Sequence, residues 1–177
     1  TEKLFILKNR LSYSEQYLTQ REEENYSNIN HPMFLQYYGS IQKYDQKYLL
    51  LEFVQGRTLK SIEKLNLTFK EKMDLIFQIL VSFLYLHSKN YIYRDLKPAN
   101  IMIDVFKNVV IIDLDKMIRC NENIAINYSR SFGSDFVAPE IVSEDDETIS
   151  TKADIYSIGK IIFYIISNGK KNIKEYS

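Results

Sequence analysis

Short apolar runs open the chain, and a helical period begins only after residue 68. Leu4-Phe-Ile-Leu7 is an apolar run ending on Lys8, the pattern of a strand that delivers a lysine to its end. The stretches 34–41 and 47–54 are filled with aliphatic and aromatic residues and flank Tyr44-Asp45-Gln46, which predicts two strands joined by a polar turn. Thr68 followed by Glu71 forms a capping-box pair. Met73, Ile76, Phe77, Leu80, Val81 and Leu84 then recur at helical spacing and predict a long helix with one buried stripe. Two short apolar runs, 101–105 and 109–112, surround the turn Phe106-Lys107-Asn108 and predict a hairpin. A last helix starts near Asp154, with Ile155, Ile158, Ile161, Ile162 and Ile165 on its apolar face.

Composition narrows the classes. The 177 residues suffice for one large domain or two small lobes sharing a core. Lys plus Arg total 23 and Asp plus Glu total 23, so the chain carries no general electrostatic footprint for nucleic acid or a membrane surface. Neither partner is expected. Cys120 is the one cysteine, which excludes an internal disulfide and suggests a reducing, cytoplasmic compartment. No apolar run approaches the ~20 residues of a membrane-spanning helix. The acidic run 143–147 reads as a solvated loop.

The chemistry concentrates in Tyr91-Ile-Tyr-Arg-Asp-Leu-Lys-Pro-Ala-Asn100. It offers a carboxylate at Asp95, an ammonium at Lys97 and a carboxamide at Asn100, and Asp113 follows the run 109–112. Transfer of a phosphoryl group from a nucleotide needs this set: a carboxylate to orient the attacking hydroxyl, a cation for the moving charge, and oxygen ligands for magnesium. The plainer reading is a polar loop between a helix and a hairpin. Taken alone, Lys8 is better read as a surface lysine after an edge strand. His87 and His31 both read as structural, since the loop already has Asp95.

These residues resemble the catalytic loop of eukaryotic protein kinases of the serine/threonine type, with Tyr93-Arg-Asp95 in place of His-Arg-Asp. Further matches run in order from about Phe5 to Gly169: Ile6-Leu-Lys8, Asn30-His-Pro32, Asp113-Leu-Asp115, Phe132-Gly-Ser-Asp-Phe-Val-Ala-Pro-Glu140 and Asp154-Ile-Tyr-Ser-Ile-Gly159. The resemblance implies an α+β, two-lobe kinase-like fold. Residues 1–54 would be a partial β-rich lobe with the hinge strand, and residues 55–177 a partial, mainly helical lobe. It implies that Lys8 reaches the phosphates of ATP and that Glu22, nine positions before His31, pairs with it. Glu23 and Glu24 would be solvated. Leu51 becomes the gatekeeper, Glu52 to Val54 the purine-binding hinge, Gly56 a turn away from it, and Met102 the floor under the adenine. Asp95, Lys97 and Asn100 are the catalytic residues, while Asn100 and Asp113 hold Mg2+. Tyr26, Tyr37, Leu114 and Tyr93 would form the stack linking the lobes, their hydroxyls needing partners. Asp154 would hydrogen-bond the catalytic loop. Arg94 could receive a phosphate on Tyr128, Ser129 or Ser131, and Ser134 with Lys97 points to protein substrates with serine or threonine acceptors.

Two departures stand out. No glycine-rich loop precedes Lys8, and Asp115 replaces a glycine, which suggests restricted flipping of that segment or an extra carboxylate near the metal. The last helices of the family's second lobe are missing as well as the glycine-rich loop, so the chain is expected to be a kinase domain truncated at both ends and inactive by itself. A pseudokinase serving as a binding module is the alternative, and a small-molecule phosphotransferase of related fold a distant third.

Overall fold

The computed structural model describes residues 4–9, 16–44, 46–120, 135–142 and 149–171, with backbone only at 16–18. The fold is α+β. Strand β1 (Phe5–Lys8) and strand β2 (Tyr37–Lys43) pair antiparallel with opposite edges of β3 (Gln46–Glu52). Helix α1 (Gln16–Asn28) lies against β2 and β3. Alternation along β3 buries Leu49 and Leu51, and β1 sets Lys8 opposite Leu49 and Ile6 opposite Leu51. Lys8 therefore leaves the sheet on its inner face.

The second predicted strand begins three residues late. Phe34 does not continue β2. It bridges Ile111 in parallel and is fully buried in the core. The Leu35 amide donates to the Ile111 carbonyl at 2.9 Å, and the Ile111 amide to the Met33 carbonyl at 2.8 Å. The gain from burying this ring outweighs continued pairing with β3, and the strap so formed ties the first sheet to the centre of the molecule.

Strand β4 (Gly56–Thr58) leads into a 3-10 segment and then α2 (Phe69–Ser88). Both halves of the predicted capping box form: the Glu71 amide donates to Thr68 Oγ1 at 3.3 Å, and the Thr68 amide to Glu71 Oε2 at 2.8 Å. The buried face differs from the predicted stripe. Leu75, Ile76, Ile79, Phe83 and Leu86 face the core, whereas Phe77 and Leu84 are 66% and 73% exposed. Apolar residues cover more than one side of this helix, and packing selects the side.

Strand β5 (Tyr91–Ile92) pairs with β8 (Ile118–Arg119), while β6 (Ile101–Asp104) pairs with β4 and with β7 (Val109–Ile111). Asp104 Oδ1 closes the β6–β7 turn by accepting the amides of Phe106 and Asn108 at 2.8 and 2.7 Å. After α3 (Pro139–Val142) comes α4 (Thr151–Ile166), which packs on α2. Ile158, Ile161 and Ile165 are buried, so the core of the isoleucine face is covered. Ile155 is exposed and does not belong to that face. Among the described residues no helix is long and apolar enough to cross a membrane.

Candidate active site

Asp95 sits on a loop whose shape is set by a residue far along the chain. Asp154, in the first turn of α4, is wholly buried. Its Oδ2 accepts the Tyr93 amide and its Oδ1 the Arg94 amide, both at 2.9 Å. His87 Nε2 lies 2.8 Å from the same Oδ2, which gives this histidine a structural position. Arg94 adopts φ +72° here, a conformation that the two amide bonds hold in place.

Asp95 itself is 2% exposed. Lys97 Nζ donates to its Oδ2 at 2.8 Å, and Asn100 Nδ2 lies 3.2 Å from that oxygen and 3.0 Å from the Asp95 carbonyl. Lys116 Nζ reaches the same Oδ2 at 3.4 Å. The other oxygen, Oδ1, is buried and has no hydrogen-bond partner among the described residues. A buried carboxylate oxygen without a donor is costly, and a substrate hydroxyl would supply one.

The hairpin returns the chain so that the Ile112 amide donates to the Asn100 carbonyl at 2.9 Å, placing Asp113 beside the loop. Asp113 Oδ1 accepts from Lys8 Nζ at 2.7 Å, and Glu22 Oε1 accepts from the same nitrogen at 2.6 Å. Burial alone would lower the Lys8 pKa. The negative charges of Glu22 and Asp113 overcome it and raise the pKa, so the ammonium is kept charged. Burial pushes the Glu22 carboxyl up, and Lys8 opposes that push. The donor set is oxygen-only: Asp113 carries a carboxylate, and Asn100, whose Nδ2 donates to Asp95, offers Oδ1. Two such oxygens suit magnesium, which takes few protein ligands and completes its shell with phosphate oxygens and water. Among the described residues no cluster of three or more His, Cys, Asp or Glu could hold a metal alone.

The three tyrosines of the stack all have partners. Tyr26 Oη accepts the Asp113 amide at 3.2 Å, Tyr93 Oη donates to the Ile112 carbonyl at 2.5 Å, and Tyr37 Oη donates to Glu23 Oε1 at 2.5 Å. Burial first, then the charges of Asp113 and Asp95, push the Tyr93 hydroxyl far above its ordinary pKa and keep it a donor. Leu114 is fully buried. Glu23 is not the solvated residue expected: it also accepts from Ser40 Oγ at 2.7 Å and pairs with Lys47.

Asp115 lies outside the left-handed region, and in this segment it is Asp113 that takes φ +66°. The backbone objection to an aspartate in glycine's place is absent from this conformation. Gly56 is needed for proximity, not for a turn. A Cβ there would stand 2.1 Å from the Ile103 carbonyl oxygen on β6. Leu51 is buried on β3 between β1 and β2, the Glu52 amide donates to the Gln36 carbonyl at 2.9 Å, Val54 is buried, and Met102 is half-buried between β4 and β7. Tyr128, Ser129, Ser131, Ser134 and the acidic run 143–147 lie outside the described residues.

Two contributors were missed. Asn25 Nδ2 donates to the carbonyls of Leu114 and Met117 at 2.7 and 3.0 Å and pins the segment after Asp113. It lies one helical turn beyond Glu22, so it shares that face, and the spacing was a readable signal. Lys116 carried none.

The sequence matches a known family. A protein kinase domain model matches residues 3–175. The serine/threonine-protein kinase PrkC of Bacillus subtilis is 28% identical over 150 residues, 83% of this chain and 23% of that protein. The serine/threonine-protein kinase STE11 of Saccharomyces cerevisiae is 31% identical over 163 residues, 89% of this chain and 22% of the yeast protein. The cAMP-dependent protein kinase type 3 of the same yeast is 26% identical, with 84% of this chain and 37% of the relative covered. The chain thus spans from about a fifth to well under half the length of these curated relatives.

Proposed function

From the premise that the chain belongs to the protein kinase family, we propose that it carries the catalytic centre of a serine/threonine protein kinase. The donor substrate is ATP, and the acceptors are serine or threonine hydroxyls of proteins. The observation that carries this reading is Asp95: one carboxylate oxygen is held by Lys97 and Asn100, and the other is buried with no partner among the described residues.

Asp95 Oδ1 accepts the hydrogen bond of the acceptor hydroxyl, orients its lone pair and takes its proton as the new P–O bond forms and the bond from the γ-phosphorus to the β,γ-bridging oxygen breaks, with ADP leaving. Lys97 stands beside that oxygen pair and meets charge on the transferring phosphoryl group. Lys8 binds the phosphates nearer the nucleoside, and Glu22 fixes its direction. Asn100 and Asp113 would hold magnesium, which when bound neutralises phosphate charge and aligns the triphosphate. The hinge backbone at Glu52 to Val54 receives the purine, with Leu51 behind it and Met102 below. The lone Cys120 suits a reducing compartment such as the cytoplasm, with no nucleic acid or membrane as partner. Residues 1–177 by themselves are expected to transfer little or no phosphate. A binding module without transfer would rest on Asp115, whose ordinary backbone angles weaken that alternative.

The test uses the full-length protein that contains this chain. Asp95→Asn is expected to lower the peptide phosphorylation rate by roughly 100-fold or more, with ATP affinity nearly unchanged. Asp113→Asn is expected to weaken magnesium-dependent ATP binding as well. Undiminished turnover in Asp95→Asn would overturn the proposal.

A further inference from the structure

A cavity of about 320 Å³ is lined in part by Lys97, Pro98 and Ala99, the residues that follow Asp95 and Leu96 in the loop. Its walls come from the 3-10 segment after β4, the catalytic loop, residues 135–136, and the end of α4. Phe136 and Tyr164 supply its apolar floor. Phe136 and Tyr164 meet edge to face with ring centres 5.6 Å apart, and Tyr164 Oη donates to the Lys60 carbonyl at 3.2 Å. Among the described residues the rim carries Lys60, Lys97 and Lys171 against one acid, Asp135. With Asp95, the partner of Lys97, counted beside Asp135, the described lining keeps one net positive charge, in a chain whose formal net charge is zero. Asp135 is half-exposed and lies 3.2 Å from Lys171 Nζ, so the one acid on the rim faces a lysine.

Lys97 belongs to both places: its Nζ holds Asp95 Oδ2 at 2.8 Å and its side chain lines the cavity. A substrate chain whose hydroxyl reaches Asp95 therefore passes the cavity within a few residues, at roughly 3.3 Å per extended residue. We infer that this cavity is a specificity subsite for an anionic side chain of the protein substrate, lying about two to four residues from the acceptor hydroxyl. This rests on the kinase reading of Asp95. The shared chemistry is a carboxylate or a phosphomonoester. Its charge is met by Lys60 and Lys171, and its aliphatic portion rests on Phe136 and Tyr164. A positively charged side chain is repelled there, so selection works by exclusion as well as attraction.

The experiment takes the full-length protein and matched serine peptides with alanine, glutamate, phosphoserine or lysine at each position within four residues of the acceptor. Peptide binding by fluorescence anisotropy and phosphate transfer are measured in parallel. The expected result is a roughly 3- to 20-fold preference for glutamate over alanine at one or two positions, from two exposed ion pairs. Phosphoserine is expected to bind at least as well as glutamate at low salt. The preference should shrink as ionic strength rises. Lys60→Glu combined with Lys171→Glu is expected to reverse it in favour of lysine, and Asp135→Asn to increase it. A gain for glutamate with none for phosphoserine assigns the site to carboxylates. Equal binding of the alanine and glutamate series, or a glutamate preference that survives the double reversal, overturns the inference. Absence of transfer to every peptide overturns the kinase reading instead, and anisotropy still decides the subsite.

Discussion

Lys8 and Asp95 are held in opposite ways. Lys8 ends a thin strand whose neighbours Phe5, Ile6 and Leu7 are 43, 41 and 52% exposed. Its direction comes from charge: two carboxylates on two other elements grip one ammonium. Asp95 lies in the best-covered part of the molecule, between the fully buried Leu96 and the buried Tyr93. Its loop is held by backbone amides that converge on Asp154. A charge clamp tolerates an open sheet because Coulomb attraction acts through partial solvent. A hydrogen-bonded loop needs burial, since water would compete for each amide.

The sharpest way to break this contrast is Asp154→Ala. It removes a buried acceptor from two amides and from His87, with an expected loss of roughly 3–5 kcal/mol. That corresponds to a melting temperature lower by about 6–20 °C for a domain of this size. Asp154→Asn keeps one acceptor oxygen and should lose less. A fall of under a degree in the alanine variant would show that burial alone shapes the loop.

Lys8→Met probes the other arm. The expected loss is smaller, about 1–2 kcal/mol, because Lys8 is partly solvated. It should also depend on pH. Without Lys8 the buried Glu22 loses the cation that opposes its protonation, so the variant is expected to weaken as pH rises. Magnesium-dependent ATP binding, followed by calorimetry, should fall more than stability does. A pH-independent loss would mean that Glu22 has another partner of equal weight.

The smallest effect separates two adjacent carboxylates. Burial raises the Glu22 pKa, with Lys8 opposing. Between the ordinary value and the raised one, folded chains hold a proton that unfolded chains have lost. Its contribution to stability is present at low pH and declines as pH rises through that window. For Glu23, burial acts upward but bonds from Lys47, Tyr37 and Ser40 win, and the pKa is lowered. Its contribution is present above the ordinary carboxylate range and is lost as pH falls through the lowered value. Melting curves over about pH 3 to 7 should therefore show opposite trends. Relative to wild type, Glu22→Gln gains stability as pH rises, and the deficit of Glu23→Gln closes as pH falls. Parallel trends would sink the assignment.

What the sequence revealed follows the same division. Asp95, Lys97 and Asn100 lie within six positions, and the hairpin signals around Phe106 explain how Asp113 returns to them. The family and its α+β fold were legible from those motifs. The capping box fixed the start of α2, yet its buried face was misread. Met73, Phe77, Leu80 and Leu84 keep helical spacing as well as Leu75, Ile79, Phe83 and Leu86 do, and only packing chooses between them. Phe34 looked like strand because periodicity cannot tell which sheet will claim a residue. Glu23 looked solvated because its partners Lys47 and Ser40 come from β3 and β2, beyond any local pattern. Lys116 beside Asp95 is likewise a product of the fold, since nothing in its neighbours marks it.

Asp115 has a meaning beyond geometry. Because the left-handed turn of the segment belongs to Asp113, residue 115 needs none of the conformations reserved for glycine. A side chain there deletes those conformations from the unfolded chain and from every rearranged form of the loop. Less disorder is then lost when the segment settles, an entropic advantage of roughly 0.4–1 kcal/mol. The segment owes part of its order to the alternatives it no longer has.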